Sequence, residues 1–269
     1  MEEEVFLNIQ KYINENKNSV LDLIHKYYDS NSYHFDYDGF LNVFPQILYS
    51  LYEYILRNDY LKSLRDRIKN DTEKNLVYIY FHAAIPVTIS FEKGPKDFFR
   101  KFLIPIRLNL SDIMYFAIAS LRCNFKKDLF IESGAYSFVS YRYYEDMEYT
   151  YLASDYQALG IYDLDNPKLL YGIEDPYIFD ISLNYIRLLD DNKSKENGIL
   201  LDAKGYGIFE DNLDAVIKAV NPMYLTKEDA NIDLLGIDFD TVDFDILKIE
   251  VKEKFELARY HYEANSIEE

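Results

Sequence analysis

Apolar side chains recur along this chain at intervals of three and four positions, with polar side chains between them. This is the spacing of residues along one face of an α-helix. The regularity is clearest from Phe244 to Tyr262, near the end of the sequence. We therefore predict a mostly α protein, arranged as a multi-helix bundle or an irregular helical array, with helices at 4–28, 40–57, 61–68, 111–121, 143–159, 176–189, 209–220 and 242–263.

The segment 76–91 is a stretch in which the pattern does not decide between helix and strand. Its β-branched and aromatic residues suit a buried strand, and its length suits a core helix interrupted at Pro86. Its helical neighbours favour a helix, and a minor β element is the alternative. The segment has 16 residues and includes His82, so it is shorter than the about 20 apolar residues that cross a bilayer.

Charge is unevenly distributed along the chain. The 269 residues carry a net charge of −18, and 132–246 alone contains 24 acidic and 8 basic residues. This contrast predicts a near-neutral helical half, 1–131, and an acidic helical half, 132–269, within one continuous domain. A field of this sign repels nucleic-acid phosphates and anionic membranes, and it speeds the approach of a basic protein. An acidic surface that serves only solubility is the alternative.

The composition is typical of a folded protein without disulfides. Hydrophobic residues make up 49% of the sequence, which is enough for a large core. Cys123 is the single cysteine, so no disulfide can form within the chain. The first residues, MEEEVFLNIQ, lack the basic and small-residue features of a signal peptide. We expect a cytoplasmic protein that neither crosses nor binds a membrane.

No sequence motif points to catalysis, since Walker A, GxSxG and HExxH sequences are all absent. One histidine lies near two carboxylates in the sequence. His34, Asp36 and Asp38 could supply an imidazole and two carboxylates to a divalent metal, or they could form a polar turn before a helix. We expect no cofactor, no metal and no enzymatic activity, and a metal-dependent hydrolase at this turn is one alternative.

The acidic run DFDTVDFD, which starts at Asp238, resembles the beginning of a calcium-binding loop. Such a loop requires a ligand at its fifth position, glycine at its sixth and glutamate at its twelfth. Those positions hold Val242, Asp243 and Ile249, so the loop is incomplete. The run fits the capping of the last helix, where carboxylates complement the helix dipole, or an acidic cluster that faces a partner.

Tyrosine and carboxylate side chains alternate from Tyr136 to Asp165. Tyrosine offers a large contact area at low entropic cost, and carboxylates pair with arginine and lysine of a partner. Packing of half of these rings in the core is the alternative. We predict that a basic protein binds through this stretch and the run at 238, at Tyr144, Glu145, Asp146, Glu148, Tyr149, Asp155, Tyr156, Asp163, Asp165, Asp238 and Asp240.

Two segments resemble helical segments of an all-α family of immunity proteins from bacterial polymorphic toxin systems. They are SDIMYFAIASLRCNFKKDLFIES, whose Ser111 we expect to cap a helix, and FEDNLDAVIKAVNPMYL from Phe209. The resemblance implies that the acidic surface captures a basic toxin domain, often a nuclease, and blocks its active site. The alternative partner is a nucleic-acid-binding defence protein, inhibited by a phage or mobile-element protein that imitates the charge of DNA.

Overall fold

The computed structural model divides the chain into two compact units. The first unit comprises Met1–Ala84, Pro105–Arg107 and Tyr185–Asn197, and the second comprises Ile85–Ile104, Leu108–Asn184 and Gly198–Glu269. The residues that the structure describes are 28–29, 34–35, 48–49, 51–68, 72–91, 98–140, 149–173, 176–189, 197–205, 207–208 and 242–264. The predicted helices at 4–28, apart from Tyr28, and at 209–220 lie outside these residues. The division into a near-neutral half and an acidic half was inferred from charge, and it stays a prediction.

The first unit is mainly helical where it is described. Residues 48–49 and 51–57 are helical, which confirms the described part of the predicted helix at 40–57. The predicted helix at 61–68 is also confirmed. The elements of this unit are β1 (Tyr28–Asp29), its antiparallel partner β2 (His34–Phe35), a 3-10 turn (Asp59–Leu61), α1 (Lys62–Ile68) and α2 (Thr72–His82).

An arginine on α1 caps the C-terminal end of the helix that precedes it. Arg65 donates from Nε to the carbonyl oxygen of Ile55 at 3.0 Å and from Nη2 to that of Asn58 at 2.7 Å. Carbonyl groups in the last turn of a helix have no partner within the helix. Arg65 supplies this partner, which orders the turn between the two helices.

The second unit is built on a β-sheet, so the predicted mostly α fold is wrong. Nine strands of the described residues belong to this sheet, and eight of them follow the order β11-β4-β3-β9-β8-β5-β6-β7. The pair β6 and β7 is parallel, whereas β5–β6, β5–β8, β8–β9, β3–β9 and β4–β11 are antiparallel. The strands are β3 (Ala83–Phe91), β4 (Phe99–Pro105), β5 (Leu129–Ser133), β6 (Tyr136–Val139), β7 (Thr150–Leu152), β8 (Lys168–Tyr171), β9 (Tyr177–Leu183), β10 (Arg187–Leu188) and β11 (Ile199–Lys204). The short β10 pairs with Ala83 and Ala84 at the start of β3, within the first unit.

The two faces of this sheet differ in polarity. On one face, directly paired positions across six strands are all aromatic or aliphatic, and on the other face the neighbouring row is polar or charged. An antiparallel sheet with one face on the core and one in water has this alternation. The apolar row is Phe91, Phe179, Leu169, Ile131, Phe138 and Tyr151, and the polar row is Ser90, Asp180, Lys168, Glu132, Ser137 and Thr150.

The predicted helices at 143–159 and 176–189 are wrong wherever they are described. Residues 150–152 form β7, and residues 153–155 and 158–163 form 3-10 helices (Ala153–Asp155 and Ala158–Asp163). Residues 177–183 form β9, in which Tyr177, Phe179 and Ile181 are buried at intervals of two. Aromatic and β-branched residues at this interval favour a strand.

Segment 76–91, in which the sequence pattern did not decide between helix and strand, contains both a helical part and a strand. Its first part ends α2, and β3 begins at Ala83, so the minor β element was the correct alternative for the second part. Most of β3 is buried on both faces, and for this reason no alternation is visible in its sequence. Pro86 has no N–H to donate, and the pairing of β3 with β9 begins one residue later, at Val87.

Two helices complete the second unit, α3 (Leu110–Ser120) and α4 (Phe244–Ala264). The ring of Phe116 on α3 lies 5.0 Å from that of Phe102 on β4 and 5.6 Å from that of Phe255 on α4. Thus α3 packs between the sheet and α4, and every residue of α3 is buried. The predicted helix at 242–263 is confirmed, and Leu247, Val251, Phe255, Ala258 and Tyr262 on one of its faces are buried.

An ionic network joins the start of α3 to α4. Asp112 accepts the backbone N–H of Asn109 at 2.9 Å, and its other oxygen accepts Nε and Nη2 of Arg259 at 3.1 and 2.8 Å. The residue at the N-cap position is therefore Asn109, and the predicted cap Ser111 lies inside the helix. Although burial opposes its charge, the neighbouring Asp112 raises the pKa of Arg259 above its usual value.

A buried arginine closes the other end of α3. Arg100 has no exposed surface, and its guanidinium donates to the carbonyl oxygens of Ser120, Phe99, Lys204 and Gly205 at 2.7–2.9 Å. Burial lowers the pKa of Arg100 to about 9. The planar guanidinium can bind several carbonyl groups at once, so one side chain connects α3, β4 and β11.

Candidate functional site

Five aromatic side chains contact one another at the β7 end of the sheet. The ring centroids of Tyr136 lie 6.1 Å from both Tyr149 and Tyr151, and those of Phe138 lie 5.8 Å from Tyr151 and 5.2 Å from Tyr156. Tyr151 and Tyr156 are 5.9 Å apart. Most of these contacts are edge-to-face or tilted, the arrangements that aromatic pairs prefer. We call these five residues the edge cluster.

Strand register places four of the five rings together. The parallel pairing of β6 with β7 sets Phe138 beside Tyr151, and the backbone N–H of Ser137 donates to the carbonyl of Tyr149 at 3.0 Å, which brings Tyr149 next to Tyr136. All four side chains lie on the apolar face of the sheet, because they continue the rows of Ile131 and Ser133. The edge cluster is thus the outer end of the core face.

The backbone of the fifth ring is fixed by segments on both sides of it. The N–H of Leu110 donates to the carbonyl of Tyr156 at 2.8 Å, and the N–H of Ala158 donates to that of Leu108 at 2.8 Å. These bonds hold Tyr156 against the beginning of α3. These hydrogen bonds fix the backbone next to Tyr156, and its ring contacts Phe138 and Tyr151 from this position.

Tyr149 has a strained backbone. Its φ is +62°, in the left-handed region that bulky residues rarely adopt. Such a conformation costs of the order of 1 kcal/mol or more, and it persists where the surroundings require it, commonly at functional sites. Here it directs the Tyr149 side chain to the ring of Tyr136.

The edge cluster is open to solvent although it continues the core. Tyr136 is 49% exposed, Tyr149 51% and Tyr156 39%, while Phe138 beneath them is 6% exposed. Exposed apolar residues that lie next to one another are candidates for a binding surface. The arrangement provides an aromatic surface with three partly exposed tyrosines, Tyr136, Tyr149 and Tyr156.

Carboxylates accompany these rings. Residues 149–167 include Asp155, Asp163 and Asp165, all exposed, and contain no lysine or arginine. Asp155 directly precedes Tyr156, and the backbone carbonyl of Asp165 accepts the hydroxyl of Ser133, the strand partner of Tyr136. Within the described residues, Asp155 and Asp163 form no ion pair, so their charge is available to a partner.

Other acidic residues of 132–246 lie in different surroundings. On the polar face of the sheet, Asp180 approaches Lys168 at 4.0 Å and Asp202 approaches Lys101 at 3.6 Å, so their charges are partly compensated. Asp243 caps α4 by accepting the N–H of Ile246 at 3.1 Å. The described acidic residues thus form three groups, and the group at the edge cluster is the one that lies beside exposed aromatic rings.

Five of the predicted binding residues belong to this region: Tyr149 and Tyr156 in the edge cluster and Asp155, Asp163 and Asp165 beside it. The predicted stretch also contained Tyr136, Phe138 and Tyr151, which were not named among the binding residues; their proximity to Tyr149 and Tyr156 depends on the pairing of β6 with β7. The alternation of aromatic and acidic residues was the signal that marked the stretch. Outside the described residues lie Tyr144, Glu145, Asp146, Glu148, Asp238 and Asp240.

The alternative metal site is only partly within the described chain. His34 belongs to β2, whereas Asp36 and Asp38 lie outside the described residues. Elsewhere in the described ranges, no group of three or more histidine, cysteine, aspartate or glutamate side chains is placed to hold a metal ion. Cys123 is a buried free thiol. Helices long and apolar enough to cross a membrane are likewise absent from the described part of the chain.

Comparison of the sequence with protein-family models gives no match, and neither does comparison with curated proteins. Among solved structures, a crystal structure of a protein of unknown function from Methanosarcina mazei Go1 aligns with this chain at a TM-score of 0.48 and 13% sequence identity. The alignment covers 61% of this chain and 95% of that one. At this score and identity it bears on neither fold class nor function.

Proposed function

We propose that this chain is a non-catalytic binding protein that captures a basic protein partner at the edge cluster. The observation that carries the proposal is a set of five contacting rings on ordered backbone, three of them between 39% and 51% exposed. A rigid aromatic surface loses little conformational entropy on binding. Tyrosine is for this reason frequent among the residues that contribute most to binding energy.

The sign of the partner's charge follows from the residues around the rings. Asp155, Asp163 and Asp165 belong to the same segment as Tyr149, Tyr151 and Tyr156, residues 149–167, which contains no basic residue, and the whole chain has a net charge of −18. Opposite charge on a partner accelerates its approach and orients it. Arginine suits the surface best, because a guanidinium can stack on a tyrosine ring and pair with a carboxylate.

A basic toxin domain, inhibited by an acidic immunity protein in the cytoplasm, meets this description, and it is the partner class that we propose first. The buried thiol of Cys123 suits a reducing compartment. The fold does not support the all-α family that the sequence suggested, so the proposal rests on the edge cluster and on charge. A captured nucleic-acid-binding defence protein would instead indicate the anti-defence role.

The proposal is tested by capture from cells of the native host. The double variant Tyr136→Ser/Tyr149→Ser removes half-exposed rings of the edge cluster. As a matched control, Tyr60→Ser/Tyr185→Ser removes two rings of the first unit that are 54% and 68% exposed. We expect wild type and control to retain a basic protein and the edge variant to lose it by at least about tenfold in affinity.

Salt dependence adds a second criterion. Raising the salt concentration shortens the range of charge interactions, from about 10 Å at 0.1 M to about 3 Å at 1 M. The association of the captured protein should therefore weaken markedly over this range. Equal capture by the edge variant and wild type, or an association that salt does not change, would contradict the proposal.

A further inference from the structure

Helix α4 has a second apolar surface, on the side opposite to its core contacts. Four of its large apolar side chains are exposed: Ile246 by 51%, Ile249 by 64%, Leu257 by 58% and Tyr260 by 74%. With about 100° of rotation per residue, these four positions fall within roughly 80° of the helix circumference. The buried positions from Leu247 to Tyr262 lie on the opposite side. We call the four exposed residues the α4 stripe.

The α4 stripe has a twofold arrangement in its sequence. Ile249 and Leu257 each lie four residues from Glu253, and Ile246 and Tyr260 each lie seven residues from it. If a second copy of α4 lies antiparallel with Glu253 at the twofold axis, Ile246 faces Tyr260 of the other copy. In the same way Ile249 faces Leu257. An isologous interface requires this self-complementarity.

Charges beside the α4 stripe match the same pairing. On one flank, Glu250 comes within two positions along the axis, about 3 Å, of Lys254 in the antiparallel copy. On the other flank, Lys252 comes equally close to Glu256. Opposite charges at flanking positions set the orientation of helix pairs. In a parallel pair each residue of the α4 stripe would instead lie beside its own copy, so that Ile246 would face Ile246 and Tyr260 would face Tyr260.

We propose that this chain forms a twofold dimer in which the α4 stripes of two copies pack antiparallel. The stripe spans fifteen residues, or about 22 Å of helix, so the interface is small. Interfaces of this size are weak and reversible. The two Glu253 carboxylates meet near the twofold axis and weaken it further, because like charges repel there. The dimer therefore forms only at high protein concentration.

The association is tested by sedimentation equilibrium of the full-length chain over a range of concentrations. We expect the mass to rise from the 31.9 kDa of one chain towards twice that value. The variant Ile249→Glu/Leu257→Glu should stay monomeric, and Glu253→Leu should tighten the dimer at least tenfold. A control, Tyr185→Glu, changes an exposed residue of the first unit and should leave the mass unchanged from wild type. A wild-type mass that never rises, or a dimer that survives in the double variant, overturns the proposal.

Cysteine cross-linking tests the antiparallel geometry. In a Cys123→Ala background, Glu253→Cys places two thiols near the twofold axis, and we expect it to form a disulfide dimer on oxidation. Ile246→Cys alone should not cross-link, because its copy lies about 21 Å away along the axis. A mixture of Ile246→Cys and Tyr260→Cys chains should give the mixed dimer. Efficient self-cross-linking of Ile246→Cys would show a parallel pair and contradict the proposal.

Discussion

The molecule uses tyrosine in two places with opposite surroundings. In the core, Tyr115 on α3 and Tyr262 on α4 stack at 5.6 Å and are 0% and 2% exposed. Their hydroxyls donate to the carbonyl oxygens of Ser140 at 3.3 Å and Lys127 at 2.6 Å. In the edge cluster, Tyr136 and Tyr149 also contact each other's rings but leave about half of their surface in water.

The difference between these pairs lies in what satisfies the polar end of the ring. A buried hydroxyl needs a partner inside the protein, and both core tyrosines have one. The hydroxyls of Tyr136 and Tyr149 form no hydrogen bond to another described residue, and about half of each residue is exposed to water. The same residue type therefore stabilises the fold in one place and remains available for binding in the other.

Truncation of the two kinds of tyrosine should have very different effects on stability. Tyr262→Ala should lower the free energy of unfolding by about 3–5 kcal/mol, because it leaves a cavity beside Tyr115. Tyr149→Ala should change it by no more than about 0.5 kcal/mol. Urea unfolding of both variants measures the contrast. Equal losses would mean that the edge cluster is part of the stabilising core.

Close packing beside α3 should be similarly sensitive. A Cβ added at Gly198 would lie 2.4 Å from an atom of the Phe116 ring, whereas one added at Gly160, in the 3-10 helix Ala158–Asp163, meets nothing within 4 Å. We expect Gly198→Ala to cost about 1–3 kcal/mol through overpacking. Gly160→Ala serves as the matched control and should leave stability unchanged or slightly higher. Thermal unfolding of both variants measures the difference. A Gly198→Ala variant as stable as wild type would contradict the close packing of Gly198 against Phe116.

Alkaline pH should act on the core tyrosines selectively. Burial raises the pKa of the Tyr115 hydroxyl, and that of Tyr162, above the usual value of a tyrosine. Above about pH 10 the unfolded chain loses these protons while the folded chain keeps them. The free energy of unfolding therefore keeps its full value below about pH 10 and decreases as the pH rises above it. In this range, each such tyrosine lowers the free energy of unfolding by about 1.4 kcal/mol per pH unit.

Tyr115→Phe isolates this contribution. The variant loses a hydrogen bond and should be less stable at pH 7 by about 1 kcal/mol. Its stability should then decline less steeply than that of wild type between about pH 10 and 12. Urea unfolding at several pH values gives both slopes, and identical slopes would exclude ionisation of Tyr115 as a cause.

The sequence predicted an element correctly where the spacing of its apolar residues fits one type of secondary structure and not the other. In α4 the steps from Phe255 to Ala258 and Tyr262 are three and four positions, which fits one face of a helix, whereas in a strand Phe255 and Ala258 would lie on opposite faces. In β9, Ile178 and Ile181 fit a helix, but Tyr177, Phe179 and Ile181 equally fit a strand. The pairing with β3 and β8 decides this case, and such long-range pairing is not visible in a single sequence.

Part of the edge cluster was visible in the sequence for a related reason. Alternating tyrosines and carboxylates marked Tyr149 and Tyr156 and the acidic residues near them. The role of Tyr136 depends on β6 pairing in parallel with β7, which no local pattern specifies. The carbonyl partners of Arg100 were hidden in the same way, because Lys204 and Gly205 are more than a hundred residues away from it.

Site-specific photo-cross-linking in the native host tests the central claim, that the edge cluster is the surface to which a basic protein binds. A benzophenone amino acid is placed at position 149, in the edge cluster, and separately at position 185, where the natural tyrosine is 68% exposed. We predict that illumination joins the first variant to a basic protein and leaves the second without that adduct. Adducts of the same protein at both positions, or at position 185 alone, would contradict the account.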